Sequence, residues 1–169
     1  MSTNRRDFLR TSGLACISMV GPAVVKSYAA TPQEMIIKTG APHFNMSGYA
    51  APKIDTVRIG FIGLGNRGPA AVERMKHIEG TDIKALCDLR PEKAAAAKKI
   101  LEGTSHQPAI YTDREEEWKK LCDRKDIDLV YIATPWSLHT PMAVYAMKQG
   151  KHVCVEVPAA KTIEEAWQL

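Results

Sequence analysis

A glycine-rich loop, with a strand before it and a helix after it, is the feature that most constrains this chain. The loop reads Gly63-Leu64-Gly65-Asn66-Arg67-Gly68, which has the spacing G-x-G-x-x-G. The apolar segment 57–62 predicts a short strand, and segment 70–78 carries apolar residues at helical spacing. The spacing alone is weak evidence, but this context predicts a turn that holds the diphosphate of a dinucleotide.

Each position of the loop has its own physical role. Gly63 allows the tight turn, Gly65 lets the backbone approach the diphosphate, and Gly68 lets the helix pack closely on the strand. Unpaired N–H groups at the helix start and the helix dipole attract the anion. Asn66 and Arg67 at the loop tip add further donors. The alternative, a glycine-rich turn without a ligand, is disfavoured by the strand and helix on either side.

The rest of the chain repeats the alternation of strand and helix. We predict five strands, at residues 57–62, 83–87, 109–111, 128–133 and 152–156. Helices are predicted at residues 70–78 and 92–101, from residue 113, at residues 141–149, and after residue 162. Such alternation with short connections predicts an α/β fold, a doubly wound parallel sheet with helices on both faces, over residues 57–169.

Polar residues at the predicted helix ends suggest how the later helices begin. Asp113 with Glu116, and Thr162 with Glu165, have the spacing of capping boxes. Thr140 is the predicted N-cap of the helix at 141–149, which Gly150 ends.

Asp88 ends the second predicted strand, 20 residues after Gly68. A carboxylate there can accept both hydroxyls of the adenosine ribose and repels a 2′-phosphate, so NAD is expected rather than NADP. Arg90 weakens this expectation, because a nearby guanidinium could receive that phosphate. Asp88 could also cap the helix that Pro91 opens, and the two roles are compatible.

Two further segments follow predicted strands and therefore lie at the same edge of the sheet. Trp136, in the loop after the fourth strand, could cover a bound ring or be ordinary packing. His139 could transfer a proton or orient a cofactor, and the alternative is a surface or packing residue. Glu156, after the fifth strand, suggests a ligand contact or a buried hydrogen bond. The Cys, His and acidic residues lack metal-ligand spacing, and there is no G-x-S-x-G motif.

Residues 1–29 are typical of an export signal. Arg5-Arg6 is followed by Phe8-Leu9, an apolar stretch at 14–25, and Ser27-Tyr28-Ala29 before a cleavage point. The stretch is too short for a stable membrane span, and the alternative is a basic tail with a chance Arg-Arg pair. We therefore expect twin-arginine export to the periplasm. Residues 30–56, which lack periodicity, are predicted to be an extended arm.

The net charge bears on nucleic acid as a partner, and the cysteine content bears on the state of the thiols. The chain has a net charge of +4, and most of that excess lies in the leader, so nothing argues for nucleic acid as a partner. Beyond the leader three cysteines remain, Cys87, Cys122 and Cys154, all beside apolar residues. We expect them to be buried free thiols.

These motifs resemble the glucose–fructose oxidoreductase and inositol dehydrogenase superfamily (Gfo/Idh/MocA) over about residues 54–169. The matching features are loop 63–68, Cys87-Asp88, Thr134-Pro135 with His139, and the turn from Glu156 to Pro158. The superfamily usually has Lys between that Glu and Pro, as a catalytic or substrate-contacting residue, whereas this chain has Val157. The departure argues against an ordinary alcohol dehydrogenase.

A narrower branch, glycoside hydrolase family 109, is similar over more of the chain. The similarity adds the leader, the segment 44–53, residues 133–142 around Trp136, and residues 150–160, where Val157 fits the branch pattern. It implies an α-N-acetylgalactosaminidase that acts on carbohydrates with terminal α-linked GalNAc. The implied reaction uses tightly held NAD for transient oxidation at C3, followed by elimination of the aglycone and addition of water, outside the two-carboxylate scheme.

The resemblance also implies which residues serve the cofactor. Besides the glycines of the loop, the implied NAD contacts are Asn66, Arg67, Asp88, Trp136, Ser137, Leu138, His139, Glu156 and Val157. Family members continue into an α+β substrate domain, so the catalytic residues are expected beyond Leu169. This chain is then the N-terminal part of a longer gene product and inactive alone, and a homo-oligomer of the full-length form stays open. Two alternatives remain, an exported NAD(P)-dependent sugar oxidoreductase and a non-catalytic nucleotide-binding fragment.

Overall fold

A computed structural model describes residues 50–169, and within it five parallel strands form one sheet. The strands are β1 (Val57–Ile62), β2 (Thr81–Cys87), β3 (Ala109–Tyr111), β4 (Leu129–Ile132) and β5 (His152–Val155), in the order β3-β2-β1-β4-β5. The helices are α1 (Gly68–Met75), α2 (Pro91–Ile100), α3 (Glu117–Asp123), α4 (His139–Lys148) and α5 (Ile163–Gln168). The predicted doubly wound fold is confirmed. The export signal at 1–29, and the arm before residue 50, lie outside the described residues.

The order in which strands are added to the sheet reverses beside β1. From β1 the chain adds β2 and β3 on one side, then crosses to the other side to add β4 and β5. Phe61 of β1 lies opposite Tyr131 of β4, and the two rings are 5.3 Å apart between centroids. In open α/β sheets a crevice forms where the order reverses, at the carboxyl ends of the strands. The functional site is therefore expected above β1 and β4.

The sheet buries one apolar cluster on each face. On one face α1 and α2 contribute small residues such as Ala71 and Ala94, which let the helices pack close to Phe61 and Leu86. On the other face α3 and α4 contribute Leu121, Cys122, Met142, Ala143 and Ala146. Because both faces are covered, the buried parts of the two central strands β1 and β4, residues 59–62 and 130–132, carry no charged side chain, as the burial of parallel strands requires.

Two of the predicted helix starts are wrong, for reasons of local geometry. Asp113 adopts a left-handed backbone with φ 74°, and α3 begins only at Glu117, without a side-chain cap. Thr140 lies inside α4, where its hydroxyl donates to the Ala159 carbonyl instead of capping the helix. The Thr162 cap is confirmed, because its hydroxyl accepts from the backbone N–H of Glu165.

The three cysteines do not share one environment. Cys87 and Cys122 are buried free thiols, as predicted, and burial raises the pKa of each to about 12. Cys154 is exposed, so the prediction of burial is wrong there. Val153 and Val155 of β5 pack against the apolar cluster on one face of the sheet, so Cys154 between them points to the opposite face, where it is exposed. None of the helices within residues 50–169 combines the length and apolarity that crossing a membrane requires.

Candidate cofactor-binding cleft

A cleft of about 830 Å³ opens at the carboxyl edge of the sheet, above the ends of β1, β2 and β4. The loops that follow these strands, and the loop that follows β3, form its walls. The lining residues are Ile62, Gly63, Gly65, Asn66, Cys87, Asp88, Leu89, Arg90, Arg114, Glu115, Glu116, Trp118, Ala133, Thr134, Pro135, Leu138 and Met142. The site thus lies where the strand order reverses, as the topology predicts.

The three glycines of the loop differ in the atoms that a Cβ at each position would contact. Gly63 has φ +90°, and a Cβ there would lie 2.6 Å from the carbonyl oxygen of Ala133. A Cβ at Gly68 would collide with the carbonyl of Gly63. A Cβ at Gly65 would meet only the guanidinium of Arg90, at 3.1 Å. Gly63 and Gly68 therefore serve the packing of the chain on itself, while Gly65 opens on the cleft.

Helix α1 starts at Gly68 directly beneath this loop. Its N-cap residue, Arg67, makes no side-chain cap hydrogen bond, and the first turn holds no acidic residue. Asn66 and Arg67 are exposed at the loop tip. The positive end of the helix dipole therefore faces the cleft without a side-chain acceptor, which suits a bound diphosphate.

Asp88 is buried below the rim of the cleft, with 8% of its surface exposed. Its Oδ2 accepts the backbone N–H of Leu64 at 2.7 Å, and its Oδ1 accepts the backbone N–H of Arg90 at 3.0 Å and the Arg90 Nε–H at 3.4 Å. The carboxylate therefore ties the glycine loop to the end of β2. It does not cap α2, whose N-cap Arg90 has no side-chain cap bond. Its contact with a ribose stays a prediction.

The loop after β4 presents apolar groups at the surface. Residues Trp136–Leu138 form a single 3₁₀ turn in which Trp136 is 61% exposed and Leu138 is 40% exposed. Ser137 is exposed between them. Within residues 50–169, packing leaves most of the surface of Trp136 exposed. A flat apolar ligand would bury it.

His139 is placed differently from these neighbours, since only 1% of its surface is exposed. Its Nε2 lies 2.8 Å from the carbonyl oxygen of Thr134, and its Nδ1 lies 2.8 Å from that of Pro158. Both ring nitrogens are therefore engaged by the chain itself, and a contact between this side chain and a cofactor stays a prediction.

Glu156 follows β5 and is held by a residue that the sequence did not point to. The hydroxyl of Tyr131 donates to Glu156 Oε1 at 2.7 Å. This bond, with the positive charges of Arg67 and Arg74, lowers the pKa of Glu156, while burial and Glu156 together raise the pKa of Tyr131 to about 12. Glu156 is thus an ionised carboxylate with a fixed position. Val157 beside it is 81% exposed.

Most of the predicted residues meet at this edge, but in three different ways. Gly63, Gly65, Asn66, Asp88 and Leu138 line the cleft. Arg67, Trp136, Ser137, Glu156 and Val157 lie in the segments around it, whereas Gly68 lies beneath the loop and His139 is buried. Roles of these side chains in holding a cofactor stay predictions.

Sequence reasoning missed most of one wall of the cleft. Besides Arg90, this wall is lined by Leu89, Arg114, Glu115 and Trp118, after β2 and β3. The available signal was positional, because the ends of all parallel strands meet at one edge and β3 ends at Tyr111.

The cleft fits a dinucleotide. Its glycine loop leaves space at Gly65, its helix start attracts an anion, and its lining includes the apolar side chains of Leu89, Pro135 and Leu138. The family model that matches residues 57–169 is the one for the Gfo/Idh/MocA oxidoreductases, described as having an NAD-binding Rossmann fold.

Curated relatives are similar at high identity over part of their length. "Glycosyl hydrolase family 109 protein 1" of Bacteroides fragilis is 51% identical over 158 residues, which are 93% of this chain and 34% of that protein. A protein of the same name from Bacteroides thetaiotaomicron is 60% identical over 119 residues, 70% of this chain and 26% of that protein. "Alpha-N-acetylgalactosaminidase" of Bacteroides fragilis is 53% identical over 123 residues, 72% of this chain and 29% of that protein. The chain spans about a third of the length of such relatives.

Solved structures of dehydrogenases share the fold. Scyllo-inositol dehydrogenase from Lactobacillus casei, solved with bound NAD(H) and scyllo-inositol, matches with a TM-score of 0.55 and 27% identity. The match covers 65% of this chain and 30% of that one. Myo-inositol dehydrogenase from the same organism, in complex with NAD(H) and myo-inositol, matches with a TM-score of 0.56 and 26% identity, over 66% and 31% of the two chains.

Proposed function

This chain belongs to the Gfo/Idh/MocA family of oxidoreductases with an NAD-binding Rossmann fold, and from that premise we propose that it is the NAD-binding part of a glycosidase. The proposed substrate is a carbohydrate with terminal α-linked N-acetylgalactosamine. Relatives that bear the name glycosyl hydrolase family 109, and one named alpha-N-acetylgalactosaminidase, support this reaction class. Because the chain spans about a third of their length, we assign to it the cofactor-binding share of the work.

Residues at different positions around the cleft would contact different parts of NAD. The start of α1 would hold the diphosphate, with Gly65 leaving space for it and the exposed Asn66 adding donors. The carboxylate of Asp88 would face the ribose from beside the loop that it fixes. Trp136 would cover the nicotinamide end. Bound NAD would supply a reversible hydride acceptor for C3 of the sugar.

Val157 is the observation that carries the choice of reaction. The superfamily that this sequence resembles usually has a lysine there, whose ammonium can handle the proton of a substrate hydroxyl. Here the position holds an apolar side chain that is 81% exposed beside the carboxylate of Glu156. A reaction that oxidises the sugar only transiently, and then eliminates the aglycone, fits this site better than net oxidation of an alcohol.

The test uses a form of the protein that extends to the full length of its curated relatives. It is given an α-GalNAc aryl glycoside in heavy water without added NAD. Release of the aglycone with deuterium at C2 is expected, because oxidation at C3 acidifies the C2 proton. Stoichiometric accumulation of NADH without release would overturn the proposal and favour the second candidate, a sugar oxidoreductase, which the inositol dehydrogenase structures support.

A pair of variants at Val157 tests the site itself. Val157→Lys places an ammonium beside Glu156, where it would compete with Tyr131 for the carboxylate, and we expect slower release of the aglycone. Val157→Leu, at the same exposed position, should keep the rate of the unaltered protein. Equal rates for the two variants would show that the chemistry of the side chain at position 157 does not affect the reaction.

Export is a separate proposal, supported by the pattern of residues 1–29. Arg5-Arg6 precedes Phe8-Leu9 and an apolar stretch, the order of a twin-arginine signal, so we propose delivery to the periplasm. Replacing both arginines by lysine should leave the precursor in the cytoplasm, as fractionation would show. Export of that double variant at the normal level would contradict the proposal.

A further inference from the structure

Tyr131 and Glu156 meet on the face of the sheet that α1 covers. Tyr131 belongs to the apolar cluster on that face and lies opposite Cys154 in the register of β4 and β5. Glu156 prolongs this ladder by one step, because its backbone N–H donates to the Ile132 carbonyl at 2.9 Å. Since side chains alternate along a strand, Cys154 and Glu156 both turn to the face of Tyr131. The pairing of β4 with β5 therefore brings the phenol and the carboxylate together.

The phenol of this pair is held by the core. The Tyr131 ring is 7% exposed and lies 5.3 Å from the Phe61 ring between centroids. Its hydroxyl donates to Glu156 Oε1 at 2.7 Å, the length of a strong hydrogen bond to a carboxylate. Burial and the neighbouring carboxylate raise the pKa of this phenol to about 12, so it keeps the proton that it donates. Because the ring cannot move without disturbing the core, the hydroxyl fixes where the carboxylate lies.

The carboxylate of this pair can accept further hydrogen bonds. Glu156 is half-buried, and a carboxylate has about four acceptor sites, of which the hydroxyl of Tyr131 takes one. The hydroxyl is the largest cause that lowers the pKa of Glu156 below its ordinary value of 4.5. The other groups that face the carboxylate are the backbone N–H of Val157, the guanidinium groups of Arg67 and Arg74, and the thiol of Cys154. The carboxylate is therefore ionised at neutral pH.

The surroundings of Glu156 indicate the kind of donor that it would take from a ligand. Glu156 precedes Val157, which is 81% exposed at the edge where NAD is proposed to bind. Because Arg67 and Arg74 already supply positive charge, the free acceptor sites suit a neutral donor better than another cation. The neutral donors that the proposed ligands offer there are hydroxyl groups, on the nicotinamide ribose of NAD and on the sugar.

We propose that Tyr131 is a positioning residue, whose buried hydroxyl orients Glu156 so that the carboxylate accepts a hydroxyl of the bound ligand, on the ribose of NAD or on the sugar. Tyr131 itself touches neither ligand and acts only through Glu156. The inference rests on the proposed binding of NAD and sugar at this edge of the sheet.

The hydrogen bond from Tyr131 to Glu156 can be tested without a ligand. In the full chain, labelled with ¹³C at the glutamate carboxyl groups, the signal of Glu156 is identified by its loss in Glu156→Gln and followed as the pH falls. Tyr131→Phe removes the largest cause of the lowered pKa, so this carboxyl should take up its proton at a higher pH, nearer 4.5. Tyr145→Phe is the matched control, because it removes a hydroxyl that donates to Asp123 at 3.0 Å, and the titration of Glu156 should not change. An unchanged titration in Tyr131→Phe would overturn the proposal, whether or not NAD binds.

Ligand affinity then tests what the pair does, in the form that extends to the full length of the curated relatives. If the ribose is the donor, calorimetry on Tyr131→Phe should show NAD binding weakened about fivefold. If the sugar is the donor, the KM for the α-GalNAc aryl glycoside should rise about fivefold instead. Tyr145→Phe should change neither quantity. An unaltered NAD affinity together with an unaltered KM in Tyr131→Phe would remove the positioning role.

A double-mutant cycle separates positioning from packing. If Tyr131 acts through Glu156, Tyr131→Phe should cost no further affinity once Glu156→Ala has removed the carboxylate. Losses that add in the double variant would mean that the phenol acts through the core alone, which would overturn the proposal. Tyr131→Phe keeps a ring against Phe61, so the apolar contacts of the core are retained. If the unaltered full-length protein does not bind NAD, the proposed function fails, while the carboxyl titration still decides whether Tyr131 holds Glu156.

Discussion

The two edges of this sheet differ in the side chains that lie just outside the strands. At the amino edge, where the strands begin, charged side chains are paired within the chain. At the carboxyl edge, where the strands end, large apolar side chains are exposed and the glycine loop leaves an open cleft. The same five strands support both edges, so the difference lies in the residues just outside each strand.

The amino edge is closed by ion pairs and backbone contacts. Arg58 donates to Asp128 through its Nε at 2.8 Å and its guanidinium at 2.6 Å, and Asp128 also accepts the backbone N–H of Arg58. Arg124 pairs in the same two-pronged way with Asp126. Lys151 is buried and donates to the carbonyls of Arg124 and Ile127. These contacts join the starts of β1, β4 and β5.

At the carboxyl edge, the buried polar groups hold loops in place. Asp88 binds the backbone of the glycine loop, Tyr131 holds Glu156, and His139 bridges two carbonyls. Large apolar side chains remain exposed in the loops after β4 and β5, among them Trp136 at 61% and Val157 at 81%. We propose that exposed apolar side chains above tied loops belong to the cofactor site, because ligand pockets are mostly apolar with a few placed polar groups.

The largest effect is expected where the carboxyl edge depends on a single backbone conformation. Gly63→Ala should lower the free energy of unfolding by about 2–4 kcal/mol, since the new Cβ meets the Ala133 carbonyl at a left-handed position. NAD binding should be lost as well. Urea unfolding and calorimetry measure the two.

Gly103→Ala is the matched control for this prediction. Its φ is +79°, but nothing lies within 4 Å of the position of its Cβ. It should lose only the backbone part, about 1–2 kcal/mol. Equal losses in the two variants would show that the close contact of Gly63 with the Ala133 carbonyl, just after β4, contributes nothing to stability.

The next effect should leave the cleft untouched. Asp128→Asn removes the charge that Arg58 faces and should lower the free energy of unfolding by about 1–3 kcal/mol, with NAD affinity unchanged. Asp55→Asn is the control, because its pair with Lys53 is almost fully exposed and should contribute little. A change in NAD affinity in Asp128→Asn would mean that the two edges are not independent.

The same contrast explains what the sequence could and could not predict. Alternation of strand and helix, and the spacing of the three glycines, predicted the sheet and the place of the cleft, since both depend on local pattern. Contacts between distant segments were not predictable from such patterns. Tyr131 is an ordinary apolar position of β4 in the sequence, and its bond to Glu156 exists only because β4 and β5 pair in this register.

Helix starts show the same limit on a smaller scale. Thr140 has the residue type of an N-cap, but the turn after β5 offers its hydroxyl a carbonyl, and that tertiary contact prevails over local capping. Asp113 likewise has the spacing of a capping box, but its backbone is left-handed and α3 begins four residues later, at Glu117. Thr162, whose surroundings are exposed, follows the local rule.

A smaller effect should separate binding from stability within one loop. Gly65→Ala should change the free energy of unfolding by less than about 0.5 kcal/mol, because its Cβ would meet only the flexible end of Arg90. The same Cβ would occupy the space proposed for the diphosphate, so NAD binding should weaken about tenfold. A variant that is destabilised as much as Gly63→Ala would show that Gly65 serves packing, not the ligand.

The smallest effect concerns acid and belongs to the amino edge. The hydrogen-bonded guanidinium of Arg124 lowers the pKa of Asp126 from its ordinary value of 3.8 to about 2. A carboxylate whose pKa is lower in the folded state stabilises the fold above its unfolded pKa, and that contribution is lost as the pH falls from about 4 to about 2. Because Asp126 is half exposed, solvent screening limits the contribution to less than about 1 kcal/mol. In urea titrations across this pH range, Asp126→Asn should lose stability less steeply than the unaltered chain, and high salt should narrow the difference. Parallel curves for the two proteins would show that this pair, although bidentate, adds nothing to the closure of the amino edge.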